Sequence, residues 1–491
     1  VDEVVVTAMG ITRSEKSLGY SVSTVKADEI NKAREGNVLN ALAGKVAGVN
    51  ISAASGTAGG GSRIIIRGQS SLGSAGSPLF VIDGMPVSNQ SYNPTGINGS
   101  VDVGNRMGDI SGDDIESINV LKGAAATALY GSRAANGAIV VTTKSGSKER
   151  GVRVIYSTTV TFENAGYWPD FQDQYGSGGI GNDRYYSFYN LAAEGLTKTQ
   201  NHRSWGPKFE GQLYYQYGAK NEDGTYTATP WVARDWYKGF FETGVTYNNF
   251  VAIDGSNGKG TSARLSFTDN RNDWITPNTG YNRQAYALTL NQKLSKHLDL
   301  SVKATFSRRQ SDNMPVAGYD ESSAMYGLLW GYNVNPMRAY HDEYFQGRYT
   351  RENYDLGAMS ATDPYNVQSS LVYNSLSGHN PYRVLYEELN TLVRNRVYGN
   401  VALTAHLLPG LDLTLRGGMD MNNDFRTQQK PKMTADYLNG MYREQTVREY
   451  EFNIDFLLKY QRAFLNDRLT LSAAVGGNEM RYSYATTKIT A

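Results

Sequence analysis

The chain has no cysteine. That excludes disulfide scaffolds, thiolate zinc sites and cysteine nucleophiles. Net charge is almost absent too: 48 Lys and Arg stand against 47 Asp and Glu, a formal +1. A general nucleic-acid binder needs a basic excess to neutralise phosphates, so that class falls away. No apolar run approaches the roughly 18 residues of a transmembrane helix. Closed barrels survive this exclusion, because they cross bilayers with much weaker sequence signals. The chain opens at Val1-Asp2-Glu3 with no signal peptide, as a mature exported protein or a cytosolic one would. Histidine is sparse, five residues scattered at 202, 297, 341, 379 and 406. No nucleophile stands beside a base, so nothing in the sequence reads as an enzyme or a metal centre.

What is plentiful is glycine, 52 residues, and tyrosine, 35. Only Tyr20, Tyr92 and Tyr130 precede residue 150, so 32 of the 35 follow it, as do all six tryptophans. Such a step in composition marks a domain boundary. The polar stretch 144–151 is the expected junction.

Beyond residue 240 apolar and polar residues alternate strictly. Leu298, Leu300, Val302, Ala304 and Phe306 share one face, with Asp299, Ser301, Lys303 and Thr305 on the other. Residues 411–417 and 448–460 repeat the scheme, the latter setting Tyr450, Phe452, Ile454, Phe456, Leu458 and Tyr460 against Glu449, Glu451, Asn453 and Asp455. Shorter versions occur at 263–267, 284–292, 401–405 and 469–475. Period two means strand. A soluble antiparallel sandwich and an outer-membrane barrel both suit such strands. Mixed charge on the polar faces suits a wet lumen, and aromatics such as Tyr450 and Tyr460 suit interfacial girdles. Short turns at 294–297, 408–410 and 464–467 alternate with long connections at 163–245 and 310–393. These three features favour the barrel.

Residues 20–150 do not alternate. Asn37 is placed to cap a short helix that Gly48 ends. Residues 63–68, 79–84, 115–121 and 138–143 read as buried strands, and 124–130 as a short helix closed by Gly131. The result is a small α+β domain, which could stand outside a membrane or fill the lumen of a wide barrel.

At these residues the chain resembles a known family. Asp2-Glu3-Val4-Val5-Val6-Thr7-Ala8 is similar to the TonB box of TonB-dependent outer-membrane transporters. Residues 78–86 (PLFVIDGMP), 114–137 (DIESINVLKGAAATALYGSRAANG) and 140–146 (VTTKSG) resemble plug signatures of the SusC/RagA branch, and 277–283 (PNTGYNR) an early barrel segment. The resemblance implies a transmembrane antiparallel β-barrel of 22 strands with an N-terminal α+β plug domain in its lumen. Residues 1–19 are then the TonB box and linker, 20–150 the plug, and 151–491 an incomplete barrel with long extracellular loops. About ten strands are recognisable, so the chain is expected to be a portion of one near twice its length.

The function implied is TonB-dependent active import of oligosaccharides, or oligopeptides, across the Gram-negative outer membrane. A SusD-like surface lipoprotein acts as lid, TonB with its inner-membrane energising complex drives the step, and no cofactor is implied. A siderophore or cobalamin receptor, and a non-transporting adhesion or signalling receptor, are the alternatives. Residues 2–8 would pair with TonB as an added strand. Gly68, Gly84, Gly131 and Gly137 are expected to serve tight turns and close packing. Arg63, Arg67 and Arg133 are expected to pair with Asp83, Asp113, Asp114 or Glu116 and hold the plug shut. Flat aromatics beside amides at 185–189, 214–217 and 231–237 suit sugar stacking. Tyr214, Tyr215, Trp231 and Trp236, with Gln90, Tyr92 and Asn93 after Pro86, are the candidate substrate contacts. Two glycine-rich stretches are decoys: 255–262 lacks the phosphate-loop spacing and reads as a hairpin turn, and 56–61 reads as a mobile loop.

Overall fold

A computed structural model describes residues 22–32, 36–53, 55–68, 76–89, 100–122, 130–147, 149–178, 205–215, 225–235, 237–318, 323–329, 337–345, 380–432, 439–464 and 469–491, with 4–6, 12–14, 184–186, 197–199 and the positions 221, 223 and 437. The first part holds β1 (Val22–Lys26), the hairpin β2 (Val49–Ala53) and β3 (Ser62–Ile66), β4 (Leu79–Ile82), β5 (Met85–Val87), β6 (Ile115–Leu121) and β7 (Ala138–Thr143). Five of these form one sheet in the order β1-β6-β7-β4-β5, where only β7 and β4 run parallel. Both faces of this sheet are covered, which is why Leu79-Phe80-Val81-Ile82 and Ala138-Ile139-Val140-Val141 are apolar without alternation. Ile118, Val120, Ile139 and Val141 pack with Leu39, Leu42 and Met107 on one side, and Val81, Leu121 and Val140 with Ala134 on the other. The β4–β5 turn is Asp83-Gly84, both at positive φ (49° and 83°), as a type I′ hairpin turn demands.

The second part is a meander of nine antiparallel strands: β8 (Gly151–Glu163), β9 (Gly244–Ser256), β10 (Thr261–Asp273), β11 (Gly280–Ser295), β12 (Leu298–Ser311), β13 (Asn390–Leu408), β14 (Leu411–Lys430), β15 (Met441–Phe464) and β16 (Leu469–Thr490). It forms a partial barrel wall, and among the described residues no helix is long and apolar enough to cross a membrane. Residues 257–260, 296–297 and 409–410 make one set of turns, while the long connections leave from the opposite end. The short turns therefore mark the periplasmic end and the long loops the extracellular end. The stretch at 255–262 is indeed a hairpin turn. Several strands outrun their apolar segments: β15 has 24 residues, of which 450–460 alternate most clearly. Pairing continues in water because backbone hydrogen bonds form there without an apolar face.

The outward residues carry the apolar band. Val154, Ile253, Leu265, Leu288, Val401, Leu415 and Ile454 are all exposed on the outer surface, while the residues between them turn inward. Followed sideways, the register links Tyr156, Val251, Phe267, Tyr286, Phe306, Val397, Met421, Tyr450 and Ser483 in one line. On β8 the exposed band runs from Val152 to Phe162, astride that line; on β16 Leu471 and Val475 lie 12 and 8 residues below it. The band thus slides by about 1.4 residues per strand. With a rise near 3.3 Å and a strand spacing near 4.8 Å, that is a tilt of about 45°, the value for transmembrane barrels. Within the line, Phe267, Tyr286 and Phe306 stack at 4.8 and 6.3 Å, an aromatic girdle at the extracellular interface.

Candidate functional site

The first part sits against the inward face of the wall, and polar contacts run along the seam beside an apolar cluster of Val101, Val103, Met314 and Leu392. Asp83 is held by Lys303 at 2.6 Å and by Thr143, whose hydroxyl donates at 2.7 Å. Asp114 meets Arg264, which also binds Asp254 of the wall at 2.8 Å. Burial raises the Asp114 carboxyl above the usual carboxylate range despite that partner. Arg106 pairs with Glu449, and Arg133 forks onto Glu451 with two bonds of 3.1 Å. The expected pairing of Arg133 with acids of its own domain is therefore corrected. Arg133 and the acids Asp83 and Asp114 reach across to the wall, because the wall's polar face supplies partners where the small domain presents its rim. Arg67 has no carboxylate partner among the described residues, and Arg63 lines a hollow beside β15–β16.

Other wall cations grip main-chain oxygens. Arg309 donates to the carbonyls of Ala58 (3.3 Å) and Gly59 (2.8 Å), with its guanidinium 4.6 Å above the Tyr281 ring. Arg283 donates to the carbonyls of Gly108 and Ile110, and Arg396 to that of Arg106 at 2.6 Å. Asp102 braces the loop by accepting from Ser55 and from the amides of Gly61 and Gly104. The glycine-rich stretch 56–61, read as mobile, is thus clamped. Its glycines admit the arginine: Gly59 and Gly104 have φ of +60° and +72°, and a Cβ on either would fall under 3.0 Å from the Arg309 guanidinium. Asp109 of the same segment is wholly buried, 3.6 Å from Arg394 and 4.0 Å from Arg396. Those two arginines already fork onto Asp424 and Asp420 at 2.8–2.9 Å.

Beside β15–β16 an open hollow against the small domain is lined by Arg63, Asn89, Asn105, Arg133, Glu451, Tyr482 and Tyr484. It mixes two phenols, two amides and charged groups, a lining suited to hydroxylated or amide-bearing ligands. Ser88 and Asn89 lead directly into Gln90, which lies with Tyr92, Asn93 and Trp236 outside the described residues. The same holds for Asp2, Glu3, Thr7 and Ala8, while Val4–Val6 form a strand paired with Thr12–Ser14. Tyr214 and Trp231 need correction as exposed stacking platforms. They are 1 % and 0 % exposed, with rings 4.9 Å apart, and Trp231 donates to the Pro207 carbonyl at 2.9 Å. They form the core of their extracellular loop, since a long excursion needs apolar packing of its own to hold a shape. Tyr215 is half-buried beside Tyr226. Gly68, Gly84, Gly131 and Gly137 all have positive φ, 70–94°. Missed altogether were Arg283, Arg309, Arg394 and Asp109. The only sequence signal for them was mixed charge on the polar faces.

Residues 14–138 match the family model described as TonB-dependent Receptor Plug Domain. The chain is 28% identical over 488 residues to the TonB-dependent receptor SusC of Bacteroides thetaiotaomicron, covering 98% of this chain and 43% of that protein. It is 25% identical over 489 residues to the TonB-dependent receptor P39 of Formosa agariphila, covering 99% of this chain and 39% of that one. The chain thus spans less than half the length of these relatives. Among solved structures, the RagAB peptide importer in its open-open state superposes with a TM-score of 0.70 at 18% identity, over 99% of this chain and 50% of that one. That likeness concerns the fold.

Proposed function

We propose, from the premise that this chain is a SusC/RagA-like TonB-dependent receptor of the outer membrane, that the whole protein imports oligomeric nutrients through its lumen when TonB pulls on residues 2–8. Its relatives are receptors and transporters rather than enzymes, and the chemistry asked of it is mechanical. The observation that carries this reading is the seam. The plug is seated on the wall by ion pairs and by arginine–carbonyl bonds, with apolar contact where Val101 and Val103 meet Met314 and Leu392 and where Tyr398 joins the plug core. Polar partners are re-satisfied by water as the seam opens, so a net cost of about 1.5–3 kcal/mol per charged bond applies instead of the full strength of each. A plug held this way gives up its seam bonds one after another under a pull, because water takes over each polar partner as it is uncovered.

Oligosaccharides are the leading cargo, as the resemblance implies, with a SusD-like lipoprotein covering the extracellular mouth. Peptides are the second reading, favoured by the fold shared with a peptide importer. The extended Val4–Val6 segment suits addition to a sheet edge of TonB. Deletion of residues 2–8 tests the mechanism: uptake should stop while surface binding persists. Uptake that survives the deletion rules out TonB-driven import. Growth of source cells with and without the gene, on a panel of glycans and peptides, separates the two cargo classes.

A further inference from the structure

Cross-strand register puts three arginines side by side on the inner wall. Arg283 of β11 lies directly opposite Arg309 of β12, and Arg309 directly opposite Arg394 of β13. All three are at least 95 % buried. Directly opposed like charges destabilise a sheet, and burial deepens the penalty. A row like this persists only if something else satisfies it. Arg394 has its own wall aspartate, Asp424. Arg283 and Arg309 do not: among the described residues neither has a carboxylate within 4 Å, and each spends its hydrogen bonds on carbonyl oxygens of the plug main chain. The Nε of both and the Nη1 of Arg394 remain without an acceptor.

The contrast with the rest of the wall is informative. Arg264, Arg396 and Arg416 each carry a wall aspartate, so they stay neutralised wherever the plug goes. Among the described residues, Lys303 is also met by a plug carboxylate, that of Asp83, and Glu449 and Glu451 by plug arginines, but Arg283 and Arg309 are the buried wall arginines that only plug carbonyls complete. When residues 58–59 and 106–110 leave, two guanidinium groups, with Arg394 beside them, are uncovered on one lateral line of the lumen.

We propose that this row is a binding track for carboxylate-bearing cargo, masked by plug carbonyls at rest and uncovered as the plug moves. The inference rests on the import reading above and names the class of cargo within it. The arginines pre-exist as donors in fixed positions, so cargo carboxylates replace the plug oxygens one for one. Guanidinium forks match carboxylates bidentately, which hydroxyl groups of a neutral sugar cannot reproduce. Carboxylates can come from uronic acid sugars or from acidic peptides, and the test separates the two.

The test uses the full-length transporter in energised cells. Uptake is measured for an oligogalacturonate, its methyl-esterified neutral form, and a Glu-containing peptide beside its Gln counterpart. Wild type is compared with Arg283→Gln, Arg309→Gln and the charge-keeping Arg283→Lys and Arg309→Lys. The expected result is a loss of at least tenfold in uptake of one carboxylated cargo in the Gln variants, with its neutral counterpart changed less than twofold and Lys restoring part of the loss. Which carboxylated cargo responds identifies the source. Equal losses of charged and neutral cargo, or no loss, make the row a seat for the plug only and overturn the proposal. Susceptibility to a large antibiotic, read in the same strains, reports whether each variant still seats its plug. Wild-type uptake that persists after deleting residues 2–8 sinks the import reading instead, a separate outcome.

Discussion

Replacing Gly59 by alanine tests the clamp between plug and wall, and its cost can be worked from the geometry. Gly59 has a φ of +60°, and a Cβ there falls 2.3 Å from Arg309 Nη2 and 2.8 Å from Tyr281 Cε1. The left-handed backbone alone costs an alanine about 1–2 kcal/mol. Arg309 cannot step aside, because Tyr281 lies against its face and a Cβ built at Gly104 would sit 2.6 Å from its Nη1. The substitution therefore also sacrifices a hydrogen bond from a charged donor to the Gly59 or Ala58 carbonyl, about 1.5–3 kcal/mol. The two contributions together reach about 2.5–5 kcal/mol against seating of this loop. At about 1.4 kcal/mol per decade, local opening becomes roughly 10²–10³ times more populated. Gly44→Ala is the control: its φ is +73°, but nothing lies within 4 Å of its Cβ. It carries only the backbone cost, about tenfold. Amide hydrogen exchange at residues 57–61, followed in the full-length protein, reads the difference. If exchange in this loop is no faster in Gly59→Ala than in Gly44→Ala, Arg309 yields freely and the clamp does not hold the plug.

Two further expectations concern the wall and the loops. Leu403 faces lipid and Thr404 the lumen, one residue apart on β13. Leu403→Arg should cost about 2–4 kcal/mol of barrel stability at mid-bilayer and Thr404→Arg far less, measured by urea unfolding in lipid vesicles; equal costs would mean the face assignment is reversed. Trp231→Ala should open the extracellular loop core, losing about 3–5 kcal/mol locally and exposing residues 205–215 to protease. Unchanged protease resistance with weakened cargo binding would instead restore Trp231 as a stacking platform.

Much of this architecture was legible in the chain. Alternation is a property of neighbours two apart, so Leu298–Phe306, Leu411–Gly417 and Tyr450–Tyr460 announce strands and their faces without any partner. Residues 115–121 and 138–143 were assigned to the residue, because turn-forming glycines and apolar runs delimit them locally. The hairpin at 257–260 and the tight turns at 296–297 and 409–410 follow from short-range chemistry in the same way.

Other features exist only as sums over many elements. That Arg283, Arg309 and Arg394 share a line depends on three strands' registers and a 78-residue excursion between β12 and β13. No local pattern encodes it. The tilt of the band emerges from eight successive pairings, and the pairing of Asp83 and Asp114 with wall cations depends on how the plug is turned in the lumen. Tyr214 and Trp231 look alike in sequence whether they face cargo or each other; burial decided it. The sequence by itself determined which residues share an apolar face and where the tight turns fall, because period and turn chemistry act over a few residues. Only the tertiary structure decided which charges meet, since ionic partners are chosen by distance across the lumen and not by position along the chain.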